Sequence, residues 1–331
     1  MAGSAAELKK QLWTINERIM YFEYFGFNQA PFSLTPDTLQ FVSLENHQAC
    51  LDMIHYALST GEGFVKVVGD VGTGKTILCR KLLRQLAESN TQQQKFQTLY
   101  IPNPMLSPIG LYRAIALELG INTQEGQMAE VLLERVTAAM LEHARQQTSV
   151  VVIIDEAQAL PQKTLEALRL LTNVETETHK LVQVILFGQT ELDDILNQHH
   201  FRQLKQRITF SHYLTPLNLD NTRSYVTHRT IRAGFIGESL FSNPAIKKLF
   251  NYSNGVPRLI NVLAHKALLS AYGRGGKTVS AKDITQAWRD SQKDLTVIGR
   301  SYSGFWFVAF LTLAIVTVSV LWVQLNLGIL L

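Results

Sequence analysis

The sequence predicts an α/β domain built on a mainly parallel five-stranded sheet, and three features point to it. Between Phe41 and Gly273 short apolar runs alternate with amphipathic helical stretches. A glycine-rich octapeptide, Gly69-Asp70-Val71-Gly72-Thr73-Gly74-Lys75-Thr76, follows one of those runs, and another run, Val150-Val151-Val152-Ile153-Ile154, ends directly in Asp155-Glu156.

The strands are expected at 63–68, 98–101, 150–154, 181–187 and 211–214, where β-branched and aromatic residues are bounded by Gly, Pro, Asn or Asp. Helices fill the intervals at 45–59, 75–87, 107–119, 128–145 and 163–171, with apolar residues three and four apart. After Leu214 the strand signals stop. Segments 221–232, 244–252, 257–272 and 281–291 read as a smaller helical cluster, with Pro244 and Pro257 in first turns, where proline is tolerated. The expected division is an N-terminal extension at 1–20, a nucleotide-binding core at 21–218, a helical domain at 219–291 and a linker at 292–303. With 46% hydrophobic residues in 331, a sizeable core can form and disorder is not expected.

The octapeptide carries the sharpest chemistry. Its glycines let the backbone curl so that several N–H groups point at a phosphate chain, and the helix that opens at Lys75 adds its positive end. Lys75 is expected to reach the β- and γ-phosphates and Thr76 to ligate Mg²⁺. Asp155 is delivered to the C-terminal edge of the sheet, where ligands of open α/β sheets bind, and reads as the Mg²⁺ partner. Glu156 reads as the group that polarises an attacking water, although a carboxylate after a strand can also serve as a helix N-cap. The strand 181–187 is expected beside 150–154, which would make Gln189 a γ-phosphate sensor; Thr190 is an alternative sensor or a cap. Arg202 and Arg207 precede the fifth strand and are candidate arginine fingers for a neighbouring subunit's site, while Arg258 opens a helix of the smaller domain as a candidate sensor.

Other residue types exclude more than they suggest. Cys50 and Cys79 stand apart with no ligand-spaced neighbour, so neither a disulfide framework nor a zinc site is expected. His199-His200 point about 100° apart on a helix and lack a third ligand. A net charge of +4 is too small to select nucleic acid or a membrane surface as partner. The first 20 residues have no uninterrupted apolar run of signal-peptide type.

The C-terminal end is different. Residues 304–323 carry no charge and are nearly all apolar, about the length that spans a ~30 Å hydrocarbon core. Tyr302, Trp306 and Trp322 suit its two interfaces, and Arg289, Lys293 and Arg300 precede it. A single transmembrane helix is expected, with the large N-terminal part cytoplasmic and 324–331 beyond the membrane.

Several motifs together resemble the GspA/ExeA family of AAA+ ATPases: Tyr24-Phe25-Gly26-Phe27, Pro31-Phe32 with Thr35-Pro36-Asp37, the octapeptide itself, IIDEAQAL at 153–160, LFGQTEL at 186–192, QRI at 206–208 and GVPRLIN at 255–261. Within that family the likeness is to the branch associated with mannose-sensitive haemagglutinin type IV pili. The resemblance implies a P-loop NTPase of the AAA+ class with a helical lid, using ATP and Mg²⁺. It further implies a bacterial inner-membrane protein that forms a homo-oligomer and supports assembly of a type IV pilus or type II secretion-type apparatus. Family members continue past their membrane helix into a periplasmic peptidoglycan-binding domain, so a separate transmembrane or periplasmic partner is expected here. Phe32 is expected either on the adenine or in the core.

Two other functions fit part of the sequence. A DNA-binding transposition-helper ATPase of TniB or TnsC type would use Lys205, Arg207, Arg223 and Arg229 on phosphates. A nucleotide-gated membrane switch with little hydrolysis would not need Glu156. The uncharged segment argues against the first, so nucleic acid is not the expected partner, and Glu156 argues against the second.

Overall fold

A computed structural model describes residues 21–34, 41–88, 95–124, 126–173 and 180–292. The expected N-terminal extension, Thr35-Pro36-Asp37, the linker beyond 292, the membrane span and the tail lie outside them. Among the described residues no helix is long and apolar enough to cross a membrane.

All five expected strands are present: β1 (Phe64–Gly69), β2 (Lys95–Ile101), β3 (Thr148–Ile154), β4 (Val182–Gly188) and β5 (Ile208–Leu214). They form one parallel sheet in the order β2-β3-β4-β1-β5. Both edge strands start three residues earlier than expected. The first residues of both edge strands meet solvent: Lys95 is exposed with Phe96 and Gln97 only half-buried, and Ile208 to Phe210 alternate in exposure, so neither stretch forms an apolar run.

The central strands are buried on both faces, which is why they read as continuous Val/Ile runs. Val150, Val152 and Ile154 of β3 point into a core shared with helices α3 (Pro108–Glu118), α4 (Ala129–Arg145) and α5 (Gln162–Leu171). Val151 and Ile153 point the other way, onto α1 (Glu45–Ser59) and α2 (Lys75–Glu88). Cys50 and Cys79 belong to this second layer; burial pushes the Cys50 thiol up to about 12 and Cys79 higher still, so both are inert packing groups. Two short helices, α6 (Glu191–Leu196) and α7 (Arg202–Arg207), connect β4 to β5; α6 starts after Thr190, the alternative cap, whose side chain makes no capping bond. They are too short to show a helical period.

The helical cluster comprises α8 (Leu219–Arg232), α9 (Asn243–Ser253), α10 (Pro257–Gly273) and a helix over 281–292, labelled α11. Asn218 and Ser242 cap α8 and α9 by accepting from Asn221 N and Ala245 N. Its core also takes in Tyr21, Phe25, Phe27 and Phe32, so the N-terminal aromatic motif packs with the helices and not with the sheet. Phe32 is 3% exposed and edge-on to Phe241, which decides its role in favour of the core.

Asp283 locks α11 to α10. It accepts from Arg274 Nε and Nη2 at 2.9 and 2.8 Å, from Ser280 N and Oγ at 2.7 Å each, and from Ser270 Oγ at 3.1 Å. Burial alone would raise this carboxyl, but these bonds, led by those of Arg274, hold it down at about 2. A depressed folded-state value stabilises the fold above the unfolded carboxyl range and is lost as pH falls toward 2. Asp283→Asn is therefore expected to cost roughly 2 kcal/mol near neutral pH and much less near pH 2, as read by urea unfolding at both pH values.

Candidate functional site

Three neighbouring strands, β3, β4 and β1, end side by side at the C-terminal edge of the sheet, and each hands one piece to the same place. After β1, the loop from Gly69 to Thr76 turns through Gly72 and Gly74 at φ +85° and +103°, backbone that L side chains rarely adopt. α2 then begins at Lys75 as expected. Lys75 is buried, with Nζ donating to the loop's own Gly69 O at 2.6 Å and Asp70 O at 2.9 Å. Thr73 is buried too, and its hydroxyl donates to Asp70 O at 2.8 Å. Behind the loop, His47 of α1 lies with Nε2 3.3 Å from Thr73 O. Burial pushes the His47 imidazole down, which favours the neutral ring and Nε2–H as donor.

At the end of β3, Asp155 is 3% exposed and accepts a hydrogen bond from the Thr76 hydroxyl. Burial raises this carboxyl against the effect of that bond and of Lys75. A buried carboxylate paired with a hydroxyl on the loop's first helical turn is the donor set Mg²⁺ takes. Among the described residues no group of three or more His, Cys, Asp and Glu forms a further metal site, and His199 and His200 are exposed.

Glu156 occupies left-handed backbone, φ 51° and ψ 40°, which costs a non-glycine residue about 1–2 kcal/mol. Its side chain makes no capping bond, which removes the N-cap reading. The carboxylate instead accepts from Gln158 Nε2 at 2.6 Å and from Gln189 Nε2 at 3.1 Å. Gln158 in turn accepts from Gln189 N at 2.9 Å, tying the end of β4 to Glu156. Burial would raise the Glu156 carboxyl, but the two amide bonds and the Lys75 charge outweigh it and hold it below the usual glutamate range.

The helical cluster closes the other wall. Arg258, second residue of α10, donates its backbone N–H to Gly72 O at 3.2 Å, and a Cβ on Gly72 would meet Arg258 Cβ at 2.7 Å. Just upstream, Gly255 packs so tightly that a Cβ would fall 1.9 Å from Leu217 O. The result is a cleft of ≈ 320 Å³, in the size class of small-molecule sites, reaching from Gly72, Gly74, Lys75, Thr76, Glu156 and Gln189 to Arg258 and beyond.

The cleft thus unites the expected residues Val71, Gly72, Gly74, Lys75, Thr76, Glu156, Gln189 and Arg258, with Gly69, Asp70, Thr73 and Asp155 directly supporting them. Arg202 and Arg207 are not among its lining; both are exposed on α7, and Arg207 Nη1 donates to Thr172 O at 3.2 Å. One expectation is corrected. Arg229, grouped above with surface cations for DNA phosphate, is 5% exposed and donates to the carbonyls of Pro31 and Ser33, so it is closed to a duplex. His47, Gln158, Tyr225, Arg229 and Asn261 all contribute to the site or its support without having been picked out for it. Gln158 and Asn261 lie inside the quoted motifs IIDEAQAL and GVPRLIN, so a signal existed for them; the other three stand in stretches with none.

Comparison with known proteins agrees with this geometry. Residues 58–196 match the protein family described as AAA domain. General secretion pathway protein A of Aeromonas hydrophila is 38% identical over 268 residues, covering 81% of this chain and 48% of that protein. The chain therefore spans about half the length of this curated relative. Among solved structures, Cdc6p of Pyrobaculum aerophilum superposes with a TM-score of 0.60 at 19% identity, over 78% of this chain and 69% of that one. The Aeropyrum pernix ORC1 protein, solved in complex with DNA, gives 0.60 at 18% over 80% and 70%. The Aeropyrum pernix ORC2 protein, solved as ADPNP-ADP complexes, gives 0.58 at 16% over 80% and 72%. These likenesses establish the fold.

Proposed function

We propose a function from one premise: the chain belongs to the GspA/ExeA-type AAA+ ATPases. It binds ATP in the cleft, hydrolyses it with Mg²⁺, and uses the cycle to support assembly of a type IV pilus or type II secretion-type apparatus at the bacterial inner membrane. The observation that carries the chemistry is the convergence of Lys75, Thr76, Asp155, Glu156 and Gln189 at three adjacent strand ends.

Each side chain has a task that its surroundings favour. Lys75 releases its two loop carbonyls and turns to the phosphates. Thr76 and Asp155 would hold Mg²⁺, which would supply neutralisation of phosphate charge. Glu156, kept ionised by its amide donors, orients and deprotonates the attacking water, and Gln189 senses the γ-phosphate from the neighbouring strand. Arg258 reports nucleotide to the helical lid through its contact with Gly72. Mg²⁺-dependent ATP turnover by the purified chain, measured beside Glu156→Gln, tests this. Turnover no greater than that of the variant would sink the hydrolytic reading.

Location and partners belong to the same proposal. Residues 304–323 anchor the chain by a single span, with the ATPase cytoplasmic, and a separate envelope protein completes the machine. The support is the uncharged segment and the secretion-pathway relative. Membrane fractionation with crosslinking tests it, and recovery of the full chain in the soluble fraction would overturn the anchor.

The exposed arginines of α7 act in a homo-oligomer. Arg207, or Arg202 beside it, reaches a neighbour's γ-phosphate and stabilises the transition state. Arg207→Ala is expected to keep ATP affinity within about twofold while lowering turnover by about 1,000-fold or more, the low end of what arginine fingers supply. Mixing this variant with Lys75→Ala protein should restore part of the turnover, because each then supplies what the other lacks; no recovery would remove Arg207 from the shared site.

A further inference from the structure

The helical cluster differs from the sheet domain in charge. Residues 219–292 hold eleven Lys and Arg against four Asp and Glu, whereas 41–218 hold fifteen against eighteen. Two of the cluster's four acids are already engaged with arginines: buried Asp283 accepts from Arg274, and Asp220 accepts from Arg223 at 3.0 Å. Part of the cationic excess gathers on α9 and α11. Lys282, Gln286 and Arg289 are exposed four and three residues apart on α11, which puts them on one face, and Lys247 is exposed on α9. Among the described residues no carboxylate pairs with Lys247, Lys282 or Arg289. A ring pair joins the two helices. Tyr252 of α9 and Trp288 of α11, both half-buried, stack at 5.1 Å and 6° from parallel, with Lys248 Nζ 5.9 Å from the Tyr252 centroid. Arg289 follows Trp288 and Lys247 precedes Lys248, so cations from both helices flank the pair.

The position of this face along the chain says what can reach it. Only residues 293–303 separate α11 from the uncharged segment 304–323. At ~3.6 Å per residue or less they cover about 40 Å at most, so a bilayer holding 304–323 keeps the end of α11 within that distance of its surface. A tether this short raises the effective concentration of the surface at the face. An anionic leaflet attracts Lys and Arg within a Debye length, and Trp and Tyr settle at headgroup level. Nucleic acid carries the same charge but fits less well. Its unpaired bases stack on open rings, and here each ring of the pair already gives one face to the other.

We propose that the face shared by α9 and α11, with Lys247, Lys282 and Arg289 around the Tyr252 and Trp288 pair, docks on the anionic headgroups of the bilayer that holds 304–323. The inference rests on the membrane-anchor reading above and goes beyond it. An anchor needs only the apolar segment, whereas docking sets which side of the helical cluster meets the lipid and turns the more acidic sheet domain away from it.

A fluorophore on an introduced thiol tests this, because Cys50 and Cys79 are both buried. The full chain carrying Asn251→Cys, on the exposed side of α9, is labelled and reconstituted in vesicles of phosphatidylcholine alone or with about one quarter phosphatidylglycerol. Both contain a headgroup spin-labelled lipid as quencher, and Met105→Cys, 76% exposed on the sheet domain, is the control. Quenching at 251 is expected to be about threefold or more stronger with phosphatidylglycerol and to lose that excess at about 0.5 M salt. The excess should also vanish when Lys247→Gln, Lys282→Gln and Arg289→Gln are combined; all three positions are exposed, so the fold is kept. The label at 105 should show no excess. Equal quenching at 251 in the two vesicles, or an excess that survives the triple substitution, would overturn the docking face. Shielding of 251 by a short single-stranded oligonucleotide, with no response to phosphatidylglycerol, would overturn it in favour of nucleic acid. Flotation reads the anchor separately. A chain that floats with neither vesicle overturns the anchor and this inference together, and one that floats with neutral vesicles yet is quenched equally in both overturns the docking alone.

Discussion

Lys75→Ala is expected to lower ATP affinity by roughly a hundred- to thousand-fold while leaving the fold intact, or even steadier. The affinity loss follows from what the side chain offers. Charge-assisted bonds to phosphate oxygens contribute about 1.5–3 kcal/mol each, and among the described residues Lys75 is the one cation of the sheet domain that lines the cleft. The effect on the fold has the opposite sign. Burial pushes the Lys75 amine below its ordinary range, against the attraction of Glu156, Asp155, Asp70 and Glu191. A lysine whose pKa falls on folding is one whose charged form the fold disfavours, so removing the charge relieves a cost at every pH where the unfolded amine is protonated. Among the described residues, the hydrogen bonds of Nζ go to two carbonyls of its own loop. The melting temperature of nucleotide-free Lys75→Ala should thus equal or exceed that of the wild type, and calorimetry should detect no ATP binding at micromolar concentration. A drop in both would mean that Lys75 holds the loop together and is not reserved for ligand. Functional residues commonly carry such a stability cost.

This pattern also explains what was legible in the sequence. Lys75, Thr76, Asp155 and Glu156 were readable because their spacing is local: a strand, a turn, a helix start, and a second strand running into two carboxylates. Each strand end needs only its own few residues to be recognised. The sheet order, with β4 between β3 and β1, then brings them together without further signal. The support is different. His47 reaches Thr73 from 26 positions upstream, Gln189 reaches Glu156 across 33 positions, and Arg229 holds Pro31 across 198 positions. Such contacts depend on packing between elements, and one sequence carries no periodic trace of them. Arg229 shows the consequence most directly: an arginine on a polar-looking helix reads as a surface cation, and only the fold of 28–34 onto α8 makes it a buried one. The early starts of β2 and β5 were hidden for a related reason, since half-solvated edge strands lack the apolar run that marks a central one.

Glu156→Gln should separate binding from chemistry. The amide keeps an oxygen able to accept from Gln158 and Gln189, so the left-handed turn at 156 and the cleft should persist and ATP affinity should change little. Removing a general base costs about 10²- to 10⁴-fold in rate, and the variant's turnover should fall by that amount while nucleotide remains bound. The pH dependence supplies an independent check. A base works in its deprotonated form; because the Glu156 carboxyl lies below the usual glutamate range of about 4.3, that form is present through neutral and mildly acid pH and is lost only below that range. Wild-type turnover should therefore show no acid limb from this group between pH 5 and 8. Gln158→Leu removes the nearer donor and one of the forces lowering the carboxyl, so its acid limb should move upward in pH. The binding profile supplies the control, since tripolyphosphate affinity should not follow the same shift. An acid limb inside pH 5–8 that is identical in the wild type and Gln158→Leu would assign the rate-limiting proton to another group, and Glu156 would then be an orienting residue for the water and not its base.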